Sequence, residues 1–288
     1  MKLNRHNDYD AQHTELCERV LLSVWQWLED YHADLVLVGG MVPIYLSEQA
    51  TDYVAAIDDT YLPPRTIDVD VGIAIGAGGG MRDPISARLM HKGFVPEGNL
   101  TGRFVRQIDG MEVKLDFLAE KNSGGGAAVM VDDVVAQATV GIERALATAT
   151  TVEVTGLDLS GNQTSQSIRV ASAGPFICLK LQAYADPDRH AAKDVFDIVR
   201  MVIDHNQGFR AAIDSFFKEN GRNPAYNDAI ACLRRYFGNI NADGPTAYAA
   251  FSTNCDSNGP DDPDKLMIFN QRKAEAWDVA RRLCSSVI

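Results

Sequence analysis

The chain has 288 residues, 46% of them hydrophobic, and a formal net charge of −12 at pH 7. This length and composition exclude a disordered chain and allow one large globular domain or two moderate ones. The negative balance disfavours sequence-independent binding to nucleic acid or to a membrane surface, whereas it suits a cleft that collects divalent cations.

Neither a membrane segment nor a disulfide framework is expected. The longest apolar runs, such as residues 35–38, are too short to cross a bilayer, and residues 1–10 lack a hydrophobic signal core. The five cysteines are odd in number, scattered and without a CxxC pair, which favours reduced cysteines packed in a core. We therefore expect a cytoplasmic protein with no membrane partner.

The N-terminal part predicts a helix, a strand and a second helix. Apolar residues at helical spacing predict an amphipathic helix over 11–32. The run DLVLVGG at 34–40 predicts a short buried strand ended by Gly39 and Gly40, and MVPIYLSEQ at 41–49 predicts the next helix. The two glycines would then lie where a strand meets a helix N-terminus, with unpaired amides.

The middle of the chain predicts strands separated by loops. The predicted elements are a loop or insertion at 51–64, a strand at 66–75, a Gly-rich loop at 76–80, a helix at 84–92, strands at 103–108 and 111–119, a loop at 121–129, and strands at 150–157 and 165–172. The Asp109-Gly110 dipeptide is typical of a tight hairpin turn. The Gly-rich loop does not match the dinucleotide-binding fingerprint, because Met81 stands three positions beyond Gly78.

From Pro175 onward the pattern is helical. Helices are predicted over 175–185, 188–204, 208–219, 226–237 and 266–285, with an exposed loop over 252–264. We therefore predict an α/β fold in two domains: a mixed sheet flanked by helices over residues 1–171, and a helical C-terminal domain over residues 172–288.

Three aspartates on two predicted strands are the candidate functional residues. Asp68 and Asp70, in TIDVDV, project from the same face of a strand because side chains alternate with period two. Asp116 stands in VKLDFL, among apolar residues that favour burial. If the two strands are neighbours, the three carboxylates converge, which matches the oxygen ligands that Mg²⁺ prefers.

An alternative interpretation needs no metal. Asp68 could cap a turn, and Asp116 could pair with Lys114 or Arg106 at a strand edge. The glycine pair could bind phosphate through its amides and the helix dipole, or it could be an ordinary turn. The sequence pattern leaves both alternatives open.

The order of several motifs resembles a known family. LVGG at 37–40, RTIDVD at 65–70 and KLDFL at 114–118 are similar to the nucleotidyltransferase core of the DNA polymerase beta superfamily. The arginine and threonine before the aspartate pair, and KLQAYADPDRHAAKDVFDI at 180–198, resemble the AbiEii-type toxin nucleotidyltransferases within it. The resemblance covers about residues 33–203 and implies a nucleotidyltransferase-like mixed sheet.

The resemblance implies a role for each matching residue. Gly39 and Gly40 would hold the nucleotide phosphates, helped by Arg65 and Thr66. Asp68, Asp70 and Asp116 would be catalytic and bind metal. Lys180 would also be catalytic and would contact the triphosphate, with Asp194 as a supporting acidic residue, although Lys180 could equally be a plain surface residue. Met41 departs from the family, which often has serine or threonine there.

The predicted function is therefore Mg²⁺-dependent nucleotidyl transfer. Two Mg²⁺ ions and a nucleoside triphosphate such as ATP would be bound, and the acceptor would be an RNA such as tRNA or a protein hydroxyl. The resemblance also implies the toxin of a toxin and antitoxin or phage-defence system, with an antitoxin protein as partner. The alternatives are a non-catalytic nucleotide-binding or protein-interaction module on the same fold, and a metal-dependent phosphohydrolase.

Overall fold

A computed structural model describes residues 3–47, 62–76, 82–98, 102–122 and 124–285. It is a mixed α/β structure, 48% helical and 22% strand, in which helices flank a mixed sheet and a helical region follows. The predicted fold class is confirmed. Most of the predicted loop at 51–64 and of the Gly-rich loop at 76–80 lies outside the described residues.

The described strands and helices have the following bounds. The strands are β1 (Leu35–Val38), β2 (Asp68–Ile73), β3 (Val95–Pro96), β4 (Arg103–Ile108), β5 (Met111–Glu120), β6 (Ala128–Val131), β7 (Val134–Thr139), β8 (Thr150–Leu157) and β9 (Gln163–Val170). The α-helices are α1 (Ala11–Trp27), α2 (Val42–Leu46), α3 (Ile85–His91), α4 (Ile142–Ala147), α5 (Ala173–Ala185), α6 (Ala192–Ile203), α7 (Phe209–Phe217), α8 (Tyr226–Tyr236), α9 (Asp243–Thr253) and α10 (Pro263–Cys284).

The chain forms two compact units. The sheet unit comprises Asp10–Val42 and Thr66–Ser172, and the helical unit comprises Met1–Tyr9, Pro43–Arg65 and Ala173–Ile288. The predicted division into two domains after residue 171 stays a prediction.

The sheet unit contains one mixed sheet. Its main path runs in the order β3, β4, β5, β2, β1, β9 and β8, and β6 and β7 extend it beside β5. β2 pairs parallel with β5 and antiparallel with β1. This arrangement puts β2 at the centre of the sheet, so its apolar side chains Val69, Val71 and Ile73 are fully buried.

Helix α1 packs on the sheet through its apolar stripe. Leu16, Val20, Leu21 and Val24 are all buried at helical spacing. The helix begins after Asp10, whose carboxylate accepts a hydrogen bond from the Gln12 amide as an N-cap. The segment predicted as one helix over 11–32 is α-helical only to Trp27 and continues as a 3₁₀ turn over Glu29–Asp34.

The helices of the helical unit pack against one another. Helix α5 packs against α6, α7 and α8, and α9 packs against α6 and α10. Aromatic rings fill the space between them, for example Phe196 of α6 and Phe251 of α9, whose centroids lie 5.1 Å apart.

Several elements differ from the sequence prediction. Strands β6 and β7 and helix α4 were not predicted, and β6 begins inside the predicted loop at 121–129. Helix α9 was also missed, and α10 begins at Pro263, inside the predicted loop over 252–264. The predicted hairpin is confirmed: Asp109 and Gly110 both have positive φ, of 50° and 81°, as a two-residue turn of this kind requires.

Candidate active site

Three aspartates of the sheet unit converge on one face of the sheet. Asp68 and Asp70 lie on β2, and the parallel register places Asp70 beside Asp116 of β5. Side chains at such positions project from the same face of the sheet. One carboxylate oxygen of each aspartate lies within 4.8 Å of the others. We call Asp68, Asp70 and Asp116 the carboxylate triad.

The carboxylate triad concentrates negative charge at a site that is largely shielded from solvent. Asp68 is 7% exposed and Asp116 is 8% exposed, and Asp70 is half-buried. Like charges at this separation repel one another, and a cation bound among them would relieve that repulsion. The donor set consists only of carboxylate oxygens, which is the chemistry that Mg²⁺ prefers, so these residues fit the ion. The metal-binding role itself stays a prediction.

Thr66 fixes the orientation of Asp68. Its hydroxyl oxygen lies 2.8 Å from Asp68 Oδ1, and both residues are buried. The backbone of Thr66 is held in turn by Thr14 of α1, whose hydroxyl oxygen accepts from the Thr66 amide at 3.0 Å. The first carboxylate of the triad is therefore anchored through Thr66 to the N-terminal helix.

Gly39 lies directly against Asp70. Gly39 has a φ of +72°, and a Cβ built on it would stand 1.8 Å from Asp70 Oδ2. Any side chain at residue 39 would therefore displace the carboxylate. Gly39 and Gly40 form a 3₁₀ turn, Gly39–Met41, between β1 and the short helix α2. The two glycines thus lie beside the carboxylate triad, and their predicted contact with phosphate stays a prediction.

Arg103 pairs with the third carboxylate. β4 and β5 are antiparallel, and their register places Arg103 directly opposite Asp116. Arg103 Nε and Nη2 donate to Asp116 Oδ1 and Oδ2, each at 2.7 Å. This bidentate fork is the strongest geometry for an arginine and a carboxylate. The carboxyl group raises the pKa of the Arg103 guanidinium above its usual value, so the guanidinium stays charged.

Sequence reasoning missed Arg103 and named the wrong partners for Asp116. Lys114 lies 3.4 Å from Glu112, and the Arg106 guanidinium lies 5.9 Å from the centroid of the Phe94 ring. A usable signal existed, because a two-residue turn at Asp109-Gly110 fixes every cross-strand pair of the hairpin. Counting back from that turn places Arg103 opposite Asp116.

Lys180 and Asp194 belong to a buried ionic cluster of the helical unit. Lys180 Nζ lies 3.0 Å from Asp194 Oδ1 and 2.8 Å from Asp197 Oδ2. Arg189 donates to both oxygens of Asp194 at 2.8 Å, and Lys193 pairs with Asp197 one helical turn away, at i,i+4 spacing. Lys180 is 4% exposed, so the alternative of a plain surface lysine is wrong. Its contact with a triphosphate stays a prediction.

Arg65 is held by the backbone of the helical unit. Its Nη1 donates to the carbonyl oxygen of Tyr9 at 2.7 Å. The predicted contribution of Arg65 and Thr66 to nucleotide binding stays a prediction.

In the part of the chain that the structure describes, no helix combines the length and the apolar character that spanning a bilayer requires.

Comparison with known proteins identifies one family. The family model described as Nucleotidyl transferase AbiEii toxin, Type IV TA system, matches residues 65–281. The match contains the carboxylate triad, Arg103, Lys180 and Asp194, whereas Gly39 and Gly40 lie before it. Searches of curated proteins and of solved structures give no significant match.

Proposed function

Because the chain belongs to the AbiEii family of nucleotidyl transferase toxins, we propose that it moves a nucleotidyl group from a nucleoside triphosphate to a hydroxyl group with the help of Mg²⁺. The acceptor is the hydroxyl of an RNA such as tRNA, or of a protein side chain. The observation that carries this proposal is the carboxylate triad, in which oxygens of Asp68, Asp70 and Asp116 lie within 4.8 Å of one another.

The proposed reaction is a displacement at the α-phosphorus. The acceptor oxygen forms a bond to that phosphorus, the bond to the oxygen that bridges the α- and β-phosphates breaks, and pyrophosphate leaves with its electrons. The hydroxyl proton passes to a base or to solvent. Bound Mg²⁺, as two ions, would neutralise the triphosphate, lower the pKa of the attacking hydroxyl and stabilise the departing pyrophosphate.

Different residues of the chain would bind the metal ions, orient the first ligand and bind the phosphates. The carboxylate triad would hold the ions, and the hydroxyl of Thr66, 2.8 Å from Asp68 Oδ1, would keep the first ligand in place. Gly39, which leaves no room for a side chain beside Asp70, would let phosphate oxygens approach the backbone together with Gly40.

Further contacts to the nucleotide are proposed for residues outside the carboxylate triad. Arg65 would assist phosphate binding, and Lys180, supported by Asp194, would contact the triphosphate. The Lys180 ammonium already contacts Asp194 and Asp197, so a phosphate contact would either add to these ion pairs or replace one of them.

In a bacterial cell the activity would act as a toxin. Modification of tRNA or of a protein of translation would stop growth in the cytoplasm, and an antitoxin would restrain it. Growth arrest on induced expression, its loss in Asp70→Asn, and its relief by the product of an adjacent gene would support this part of the proposal.

Labelled nucleotide transfer tests the reaction. The purified protein is incubated with each α-labelled triphosphate, total RNA and Mg²⁺, and both incorporated label and released pyrophosphate are measured. Asp68→Asn and Asp70→Asn keep the side-chain shape, remove one ligand charge and are expected to lower the rate about 100- to 10,000-fold. EDTA should abolish incorporation.

Asp109→Asn is the matched control. It makes the same change at an exposed carboxylate in the β4–β5 turn, where asparagine tolerates the positive φ. Incorporation by the triad variants equal to wild type would refute the mechanism. Nucleotide binding without pyrophosphate release would favour the non-catalytic module, and release of inorganic phosphate would favour the phosphohydrolase.

A further inference from the structure

We propose that the Arg103 guanidinium and a divalent cation compete for Asp116, so that Arg103 sets how tightly the carboxylate triad binds metal. Arg103 would be a positioning residue that compensates the triad in the metal-free protein. This inference rests on the proposed function, because it takes the carboxylate triad to be the metal site. The Lys and Arg roles implied by the family resemblance do not include this residue.

The geometry gives Arg103 a direct hold on the third ligand. The two 2.7 Å contacts engage both oxygens of Asp116, so the carboxylate cannot turn without breaking a charge-assisted hydrogen bond. The β4–β5 register makes the contact a direct cross-strand pair rather than a chance encounter of two flexible side chains.

Electrostatic repulsion would make the Arg103 guanidinium and a bound cation compete for Asp116. A cation bound to an oxygen of Asp116 would lie about 5 Å from the guanidinium, given metal–oxygen distances of about 2 Å, and two positive charges at that distance repel. The lone pairs of Asp116 that accept hydrogen bonds from Arg103 are also not available to coordinate a metal ion. Tight metal binding therefore requires the Arg103 fork to open or to be shared.

The Arg103 side chain is exposed enough to move away from Asp116. Its side chain is 34% exposed, and its Nη1 lies 3.4 Å from Glu97 Oε2, a carboxylate that is itself 48% exposed. Glu97 offers the guanidinium a second partner when the fork opens. The side chain of Asp116 is only 12% exposed and has no comparable freedom, so the guanidinium is the member of the pair that would move.

Binding of Mn²⁺ to the nucleotide-free protein tests the inference without relying on activity. The concentration of free Mn²⁺ is followed by its electron paramagnetic resonance signal in wild type, Arg103→Gln and Arg103→Lys. We expect Arg103→Gln to bind Mn²⁺ about tenfold more tightly, within the range that neighbours of metal ligands usually command. Arg103→Lys keeps the charge but cannot form the bidentate contact, so its Mn²⁺ affinity should lie between those of wild type and Arg103→Gln.

Thermal unfolding supplies the second measurement. Without metal, Arg103→Gln should melt below wild type because Asp116 loses its partner. Saturating Mn²⁺ should raise the melting temperature of Arg103→Gln more than that of wild type. If Arg103 and Asp116 formed only a structural ion pair, Arg103→Gln would lower the melting temperature equally with and without Mn²⁺, and the Mn²⁺ affinity would not change. That result would overturn the inference.

Two further variants separate this inference from the proposed function. Arg106→Gln, on the same strand but beside Phe94, should bind Mn²⁺ like wild type. Asp70→Asn should bind it at least about tenfold more weakly. If Asp70→Asn binds as wild type does, the triad is not the metal site and both ideas fall. If Asp70→Asn binds Mn²⁺ more weakly as expected, but Arg103→Gln binds it no more tightly than wild type, only the competition is refuted.

Discussion

Gly39 and Asp70 are packed so closely that a Cβ atom at residue 39 would stand 1.8 Å from Asp70 Oδ2. The glycine is thus a steric requirement of the second carboxylate in the triad. This relationship lies within the sheet unit and links the turn after β1 to the neighbouring strand β2.

Gly39→Ala should disable the site through this contact. The methyl group must displace the Asp70 carboxylate, and we expect nucleotidyl transfer to fall at least about 100-fold, the scale on which a misplaced catalytic group acts. Gly161→Ala is the control, because Gly161 also has a positive φ, +80°, but its Cβ would meet no atom within 4 Å. Both variants carry about 1–2 kcal/mol of backbone strain. Equal activity and equal melting temperatures in the two variants would contradict the steric role of Gly39.

Thr66→Val should weaken metal binding without removing a proposed metal ligand. Valine keeps the shape of threonine but cannot donate to Asp68 Oδ1, so the carboxylate loses the contact that orients it. We expect the Mg²⁺ concentration for half-maximal activity to rise about 10- to 100-fold.

Two variants control for the loss of the hydroxyl. Thr66→Ser, which keeps it, should recover most of the Mg²⁺ affinity. Thr155→Val removes an exposed hydroxyl that pairs with Ser165 at 2.8 Å and should leave the Mg²⁺ dependence unchanged. A Thr66→Val enzyme with unaltered Mg²⁺ dependence would show that Asp68 is held by other contacts.

Lys180→Met should destabilise the helical unit. The substitution leaves Asp194 and Asp197, both fully buried, without one of their cations, and breaking a buried pair in this way costs about 3–5 kcal/mol. The free energy of unfolding is measured with denaturant. Lys273→Met removes an exposed ammonium that contacts Asn241 and should change that free energy by less than about 0.5 kcal/mol.

A double variant separates the structural role of Lys180 from nucleotide binding. Lys180→Met with Asp197→Asn removes one cation and one carboxylate, so part of the lost stability should return. If Lys180 also contacts the triphosphate, KM for the nucleotide stays raised in the double variant although its stability has recovered. A KM that recovers together with stability would assign Lys180 to the fold alone.

Local patterns were sufficient to predict the elements that carry the carboxylate triad. The alternation in TIDVDV and the Asp-Gly turn are short-range signals, and the strands β2, β4 and β5 lie close to the predicted ranges. Helix α9 was missed because DGPTAYAAFST contains glycine, proline and small residues that give a weak helical pattern. Pro245 is tolerated in its first turn, and the burial of Tyr248 and Phe251 supplies the stability that the propensity lacks.

The parts of the site that involve distant segments could not be predicted in the same way. Thr14 and Thr66 are 52 positions apart, and their hydrogen bond depends on how α1 packs on the sheet. The assignment of residues 43–47 and 62–65 to the helical unit is likewise a long-range property with no local signature. Arg103 was within reach, because the turn fixes the hairpin register and the register fixes its partner.

Asp204 should make the stability of the protein depend on pH. Burial raises the pKa of this carboxyl from 3.8 to about 6, despite the Arg200 guanidinium 2.5 Å away, which lowers it. The folded state therefore holds the proton at pH values where the unfolded chain has released it. The stabilisation is fully present below about pH 4 and is lost as the pH rises through about 6, and it amounts to about 2–3 kcal/mol.

Asp204→Asn isolates this effect because asparagine resembles the protonated carboxyl at every pH. The difference in unfolding free energy, variant minus wild type, should rise by about 2–3 kcal/mol between pH 4 and pH 7.5. Denaturant titrations at half-unit pH steps measure it. Asp214→Asn makes the same substitution at an exposed position of α7 and is the matched control. A flat difference for Asp204→Asn, or one that falls towards pH 7.5, would mean that the Arg200 ion pair outweighs burial and keeps the carboxyl ionised.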